Sequence, residues 1–228
     1  MKKKLMVVSA LLCAAASLSW ADTREDAAKR LQLAASTLTS ITSVPDKGIP
    51  LEVLDNAKCI AVVPHMVKGG FIFGAQGGRG VATCRTPKGW SAPAFFAITG
   101  GSWGLQIGVQ GVDLVMVIVS QAGMDKLLSS KFQIGADASA AAGPVGRHAS
   151  AGTDWKLDSQ ILTYSRAKGV FAGLTLNGNA VRGDDDANKA IYGTDDEKAI
   201  LSGSVKTTAA GLPFLRSVRR ARVLAAGK

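Results

Sequence analysis

The chain of 228 residues is 47% hydrophobic and carries 27 Lys and Arg against 17 Asp and Glu, a formal net charge of +10. Beyond the first 21 residues, no stretch is apolar for the 18 or so residues that a membrane-spanning helix needs, which excludes such a helix there. A surface this basic attracts polyanions such as phospholipid headgroups or nucleic acid, although it also serves simple solubility.

Residues 1–21 have the pattern of a secretory signal peptide. Lys2 to Lys4 precede the apolar run Leu5 to Leu18, and Ser19-Trp20-Ala21 supplies small residues at the cleavage site. We expect a mature domain of residues 22–228, exported to the periplasm or cell envelope and peripheral to the membrane. Loss of the three leader lysines leaves 24 bases and 17 acids, a net charge of +7. The alternative is a lipoprotein, anchored through Cys13.

Residues 22–56 are predicted to form the N-terminal helices. The first helix spans Asp22 to Thr42 and ends before Pro45 and Gly48, and a short one follows from Leu51 to Ala57. Apolar residues recur at helical spacing on one face of the first helix; they are Leu31, Ala34, Ala35, Leu38 and Ile41.

Residues 57–178 are predicted to form a β-rich core. The sequence Gly77-Gly78-Arg79-Gly80 predicts a tight turn, because glycine permits the positive φ that hairpins need. Val112 to Val119 is almost wholly apolar and predicts a buried central strand. Met124 to Leu128 predicts a brief helix. The other predicted strands are Cys59–Val63, Phe71–Gln76, Val81–Arg85, Ala94–Thr99, Leu105–Gln110, Phe132–Ala138, Gln160–Ser165 and Val170–Leu176.

Two cysteines remain after the leader. In an oxidising compartment an even pair predicts a Cys59–Cys84 disulfide, with two buried free thiols as the alternative. His65 is the only imidazole in range, so the pair lacks the further ligands of a metal site. No metal or cofactor is expected.

Residues 184–225 are predicted to be helical again. Asp184 to Asp186 cap a helix that runs to Tyr192, Asp195 starts another through Leu201, and Pro213 begins the last. The whole pattern predicts a single α+β domain: a glycine-rich, antiparallel, barrel-like sheet flanked by N- and C-terminal helices.

Several blocks in this chain resemble successive motifs of the SYLF domain family. They are KGGFIFGAQGGRGVATCR, GWSAPAFFAITGGSWGLQIGVQGVDLVMVI, KFQIGADASAAAGPVGR, ILTYSRAKGVFAGLTLNG and DDDANKAIYG. The resemblance implies binding of anionic phospholipid, phosphoinositides especially, and in fungal and animal relatives a link to actin. An exported protein would not meet actin. The amphipathic segment tied to membrane contact in some relatives corresponds to residues 22–42, with Lys29 and Arg30.

A lipid-binding site is predicted on the last helix. Arg216, Arg219, Arg220 and Arg222 lie beside an apolar stripe anchored by Phe214, and a basic amphipathic helix can lie in a headgroup layer. The alternative is a helix whose stripe packs on the sheet.

A second basic patch is predicted on hairpin loops, formed by Lys68, Arg79 and Lys88. Arginine there suits bidentate phosphate contact. Simple solvated loop charges are the alternative.

The sequence does not predict an enzyme. Gly100 to Gly104 matches the G-x-S-x-G pattern, but Ser102 would need a strand-to-helix elbow, and His148 is the only downstream histidine. The rival to lipid binding is an envelope structural or partner-binding module with incidental lipid affinity. Nucleic acid is not expected as a partner, because the chain is expected to be exported.

Overall fold

The computed structural model describes residues 23–45, 48–70, 73–103, 108–129, 131–145, 159–167, 170–171, 174 and 176–227. The helices within these ranges are α1 (residues 23–42), α2 (Leu51–Asn56), α3 (Gln121–Leu127), α4 (Asp185–Tyr192), α5 (Glu197–Leu201) and α6 (Leu212–Ala226). Side-chain caps begin three of them: Ser120 accepts from the Gly123 amide, Asp184 from Ala187 and Asp196 from Ala199.

One curled sheet holds all the strands in the described ranges. They are β1 (Cys59–Gly70), β2 (Phe73–Thr86), β3 (Gly89–Trp90), β4 (Ala94–Trp103), β5 (Gly108–Ile118), β6 (Lys131–Gln133), β7 (Ala140–Ala142), β8 (Ile161–Ala167), β9 (Val170–Phe171) and β10 (Ala180–Gly183). The order is β6-β10-β4-β2-β1-β5-β8-β7, with β3 beside β2 and β9 beside β8. Every pair is antiparallel except β7 with β8. The predicted class is confirmed: a single α+β domain with a half-barrel sheet and helices at both ends.

The sheet has apolar residues packed on both faces. On its helix-side face, which includes Val62, Val81, Phe95 and Val115, it packs against the apolar stripes of α1, α2, α4 and α6. Its inner face forms a second cluster, to which α3 and α5 contribute Leu127, Ile200 and Leu201. The VDLVMVIV strand is therefore buried on both faces, as predicted, because alternate residues enter different clusters.

The predicted turn at Gly77 to Gly80 is wrong. These residues lie in the middle of β2, paired with β4 from Gly77↔Thr99 to Gly80↔Phe96. A Cβ on Gly78 would come within 2.6 Å of Val63 Cγ1, and one on Gly80 within 2.6 Å of the Val62 carbonyl oxygen. Glycine is used here for close packing against β1 and not for a positive φ.

Other predicted breaks are also absent. β4 continues through Gly100 and Gly101, which pair with residues of β2. β5 is one continuous strand that includes the end of the predicted strand Leu105 to Gln110 and most of the predicted strand Val112 to Val119. β1 extends to Gly70 because both of its neighbours continue to pair with it beyond the apolar residues. Pairing with neighbouring strands thus extends these strands through glycines at which the sequence predicts strand ends.

The predicted Cys59–Cys84 disulfide is confirmed. The two residues are directly opposite on β1 and β2, with Cα atoms 4.0 Å apart, and both side chains are fully buried. Within the described ranges no helix has both the length and the apolar character to cross a membrane.

Candidate functional site: an arginine cleft beside the last helix

Helix α6 is the element that brings the predicted arginines to the surface. Leu212 to Ala226 places Phe214, Val218 and Ala221 at helical spacing, and all three are at most 1% exposed in the helix-side cluster. The stripe thus packs on the domain, and Phe214 does not face solvent. The arginines occupy the remaining faces and are exposed; they are Arg216, Arg219, Arg220 and Arg222.

A cleft of about 480 Å³ opens between α6, the start of α2 and the β2–β3 hairpin. We call it the arginine cleft. Its lining residues are Leu51, Arg85, Trp90, Arg219, Arg222, Val223 and Ala226. Three guanidinium groups thus meet apolar side chains, and Val223, 70% exposed, stands at its surface.

Arg85 is held rigidly at the base of the hairpin. It lies opposite Trp90 in the β2–β3 pair, and its guanidinium carbon is 4.7 Å from the centre of the indole ring. Its Nε donates to the Ala57 carbonyl at 2.8 Å, and a terminal nitrogen donates to the Leu54 carbonyl at 3.2 Å. These contacts fix the orientation of the Arg85 guanidinium and use only some of its five N–H donors.

The cleft is electropositive. Burial, followed by the positive charge of Arg222, lowers the pKa of Arg85, while Asp55 acts in the opposite direction. The guanidinium stays charged at any physiological pH. Asp55 Oδ1 accepts from Arg222 Nε at 2.6 Å, and Arg219 forms no ion pair with any residue that the structure describes. One carboxylate among three guanidiniums leaves the cleft with an excess of positive charge, suited to an oxyanion.

The other predicted basic residues lie elsewhere. Arg30 is buried: its Nη1 donates to Asp184 Oδ2 at 2.7 Å, and its guanidinium stacks over Phe95 at 5.5 Å. Lys29 lies on α1, whose apolar face, from Ala27 to Ile41, packs in the helix-side cluster. Neither residue contributes to the arginine cleft.

Lys68, Arg79 and Lys88 do not form one patch. Lys68 lies near the end of β1 opposite Gln76, and Arg79 lies in the middle of β2. Lys88 is exposed in the β2–β3 turn, on the same hairpin as Arg85 and Trp90. Only Lys88 is therefore a neighbour of the cleft.

Sequence reasoning missed Arg85 and Trp90. The sequence places Arg85 at the end of a predicted strand and Trp90 within a family motif, and it gives neither a role in a site. The signal that could have found them was Thr86-Pro87-Lys88-Gly89, a short turn that places residues 85 and 90 opposite each other.

The G-x-S-x-G sequence does not form a nucleophile elbow. Ser102 lies within β4 and pairs with Gly74, and the next described element is the strand β5. His148 lies outside the described residues. In the ranges that the structure describes, no three His, Cys, Asp or Glu residues cluster as a metal site would require.

The fold and the cleft together define an α+β domain with a basic cleft on its surface. The sequence profile of the Ysc84 family, described as "Las17-binding protein actin regulator", matches residues 99–221, more than half of the chain. This chain belongs to the Ysc84 family, the family of the SYLF domain.

Curated relatives agree with this assignment. Protein YSC84 of Saccharomyces cerevisiae is 36% identical over 176 residues, 75% of this chain and 37% of the yeast protein. SH3 domain-containing YSC84-like protein 1 of Xenopus laevis is 32% identical over 173 residues, 74% of this chain and 51% of the frog protein. LAS seventeen-binding protein 3 of S. cerevisiae is 33% identical over 176 residues, 75% of this chain and 38% of its own. The chain thus spans about half the length of these relatives or less.

Proposed function

We propose that this chain binds anionic phospholipid surfaces, with phosphoinositide-type headgroups among them, and does so without covalent chemistry. The observation that carries the proposal is the convergence of Arg85, Arg219 and Arg222 on an apolar-walled cleft. A phosphate group in the cleft would accept charge-assisted hydrogen bonds, while Val223 and Leu51 would meet the acyl boundary.

The strength of such binding follows from the number of bases that reach the surface. Each base near an anionic membrane contributes about 1 kcal/mol. The four arginines of α6 would together give about 4 kcal/mol, which corresponds to a dissociation constant in the millimolar range. Attachment of this kind is reversible and depends on salt.

We also propose that the domain acts after export, in the periplasm or cell envelope. The leader pattern of residues 1–21 supports this location, and so does the buried Cys59–Cys84 disulfide, because disulfides persist in oxidising compartments. A lipoprotein anchored at Cys13 would act in the same compartment.

A protein partner is the second candidate. Relatives are named as Las17-binding or LAS seventeen-binding proteins, which supports a protein interaction in this family. The same cleft would then receive an acidic segment of that partner. For an exported domain we expect an envelope protein in this role and not actin.

Co-sedimentation with vesicles tests the proposal. We expect binding to phosphatidylglycerol vesicles and to vesicles with added phosphoinositide, none to phosphatidylcholine, and loss of binding at high salt. Arg219→Gln with Arg222→Gln should weaken the affinity for phosphatidylglycerol about 10- to 30-fold, since two bases contribute about 2 kcal/mol.

The matched control removes the same charge elsewhere. Lys198 and Lys206 lie outside the cleft, so Lys198→Gln with Lys206→Gln should keep the affinity within about threefold. Equal losses in the two double variants would reject the cleft as the site. If the unmodified chain binds no vesicle at all, the protein-partner candidate takes precedence.

A further inference from the structure

A second basic surface lies across four neighbouring strands of the sheet. Arg79 on β2 is opposite Ala97 on β4, Ala97 is opposite Arg182 on β10, and Arg182 is opposite Lys131 on β6. Directly paired residues of antiparallel strands project from the same face. We call these four residues the cross-strand row.

The row lies on the helix-side face but outside the helical layer. Arg79 and Ala97 are each two residues from a member of the helix-side cluster, Val81 and Phe95 respectively, so all four share one face. Arg182 and Lys131 are exposed, and the Arg79 side chain is 69% exposed. Six residues along β2, about 20 Å, separate Arg79 from Arg85 of the arginine cleft.

Two of the three bases in the row, Arg182 and Lys131, have no matching carboxylate among the described residues. Arg182 and Lys131 are directly opposite, an arrangement that destabilises a sheet when the charges are alike. Neither forms an ion pair with a described residue, and Asp185 and Asp186 are not within 4.0 Å of any base in the row.

Asp184 is the nearest acid and is already engaged. Its Oδ2 atom accepts from the buried Arg30 at 2.7 Å and lies 3.9 Å from Arg79 Nε, while Oδ1 caps α4. It therefore neutralises Arg30 first and leaves most of the charge of Arg79 exposed to solvent.

Ala97 leaves a gap between the two arginines. Arg79 and Arg182 are two strand spacings apart, about 10 Å, and only a methyl group projects between them. We propose that a phosphate-class oxyanion binds above Ala97, held by the guanidiniums of Arg79 and Arg182 and by the ammonium of Lys131. Arginine forks suit such an anion bidentately, and the lysine adds a point charge.

The phosphate could belong to a soluble polyphosphate or to a lipid headgroup, and two probes distinguish these sources. Sodium tripolyphosphate, titrated by calorimetry, represents the soluble compounds, and phosphatidylglycerol vesicles represent the headgroups. Arg182→Gln with Lys131→Gln should weaken tripolyphosphate binding at least about tenfold, because charged hydrogen bonds are lost. Lys198→Gln with Lys206→Gln serves as the control of equal charge.

The pattern of losses decides between the sources. If Arg182→Gln with Lys131→Gln weakens the affinity for tripolyphosphate alone, the ligand is a soluble phosphate compound. If it weakens the affinity for vesicles alone, the ligand is a lipid headgroup. Weaker affinity for both probes, with the control variant unaffected, shows that the row accepts either. Equal affinities in the two double variants, or no saturable binding of either probe, would overturn the proposal. The arginine cleft is intact in both variants, so this result is independent of the proposed function.

A measurement of thermal stability provides a second test of the row. At low salt and without anion, Arg182→Gln should raise Tm by about 1–3 °C, because it relieves the repulsion from Lys131. With tripolyphosphate present the unmodified chain should gain more stability than the variant. A lower Tm for Arg182→Gln at low salt would contradict the like-charge argument.

Discussion

At the residue scale, Tyr164 carries an isolated hydroxyl in the core. Its side chain is 2% exposed, and its oxygen has no hydrogen-bond partner in the described structure. Burial raises the pKa of this phenol well above its ordinary value near 10. A phenol is neutral when protonated, so the folded state retains the proton that the unfolded chain releases. The contribution of Tyr164 to the free energy of unfolding is therefore fully present below about pH 10 and decreases as the pH rises above it.

Tyr164→Phe should leave the free energy of unfolding at pH 7 unchanged or raise it by up to about 1 kcal/mol, because an unsatisfied buried hydroxyl is removed. Above pH 10 the free energy of unfolding of the variant, relative to that of the unmodified chain, should increase by about 1.4 kcal/mol per pH unit. Urea unfolding at pH 7, 10 and 11 checks both values. A loss of more than about 1 kcal/mol at pH 7 would show that the hydroxyl has a partner.

Tyr192→Phe is the matched comparison. Burial raises the pKa of Tyr192 as well, but its hydroxyl donates to the Pro93 carbonyl at 2.7 Å. At pH 7 the free energy of unfolding of this variant should be about 1 kcal/mol below that of the unmodified chain, because the hydrogen bond is lost. Above pH 10 the difference should change in favour of the variant by the same amount per pH unit as for Tyr164→Phe.

The members of the arginine cleft differ in how far the sequence predicts them. The arginines of α6 were predicted, because four bases within seven residues of an amphipathic helix can be read locally. Arg85 and Trp90 were not, because their contact depends on a hairpin register. The burial of Arg30 also escaped prediction, since Asp184 is 154 positions away in the chain.

At the element scale, the disulfide joins two strands that are central to the sheet. Cys59 and Cys84 are separated by 25 residues, so the bond restricts the unfolded chain by about 3 kcal/mol in the loop-entropy treatment. Cys59→Ala with Cys84→Ala should lower Tm by about 6–12 °C. A reducing agent should lower the Tm of the unmodified chain similarly and leave the variant unaffected. If reduction changes nothing and free-thiol assay finds two thiols, the bond does not form in the protein.

Helices were predicted more closely than strands. α1, α2, α4 and α6 differ from their predicted ranges by one or two residues, because stripes, caps and Pro213 are local signals. Strands were cut at glycines, because glycine in sequence indicates a turn as readily as it indicates close packing. Gly78 and Gly80 are explained only by Val63 and Val62 of the neighbouring strand, which the local sequence does not show.

At the scale of the whole molecule, the sheet order was beyond reach of the sequence. β10 lies between β4 and β6, although it follows β4 only after a long stretch of chain, and a short parallel strand, β7, ends the other edge. The cross-strand row exists only in that order. Composition predicted a basic surface, but not that its bases collect at two separate places.

A comparison of the free energies of apolar burial and of membrane binding favours docking of the whole domain on a membrane without detachment of α6. Detachment would uncover the core that Phe214, Val218 and Ala221 cover, and the burial of Phe214 and of Val218 contributes about 1.5–3 kcal/mol each. The stripe itself could enter the bilayer, but the rest of the helix-side cluster that it packs against would lose that cover and face water. The four arginines supply only about 4 kcal/mol. We therefore expect the domain to bind as a rigid body.

Hydrogen exchange on phosphatidylglycerol vesicles tests this expectation. Rigid docking through the arginine cleft should slow exchange in α2 and in residues 219–226 and leave β1, β2 and β5 unchanged, because their ladders stay paired. Detachment would instead speed exchange in α1 and in the strands that contribute to the helix-side cluster. Phosphatidylcholine vesicles should have no effect, and Arg219→Gln with Arg222→Gln should abolish the slowing. Faster exchange in the core strands, with slower exchange in α6, would mean that the helix leaves the domain to reach the bilayer.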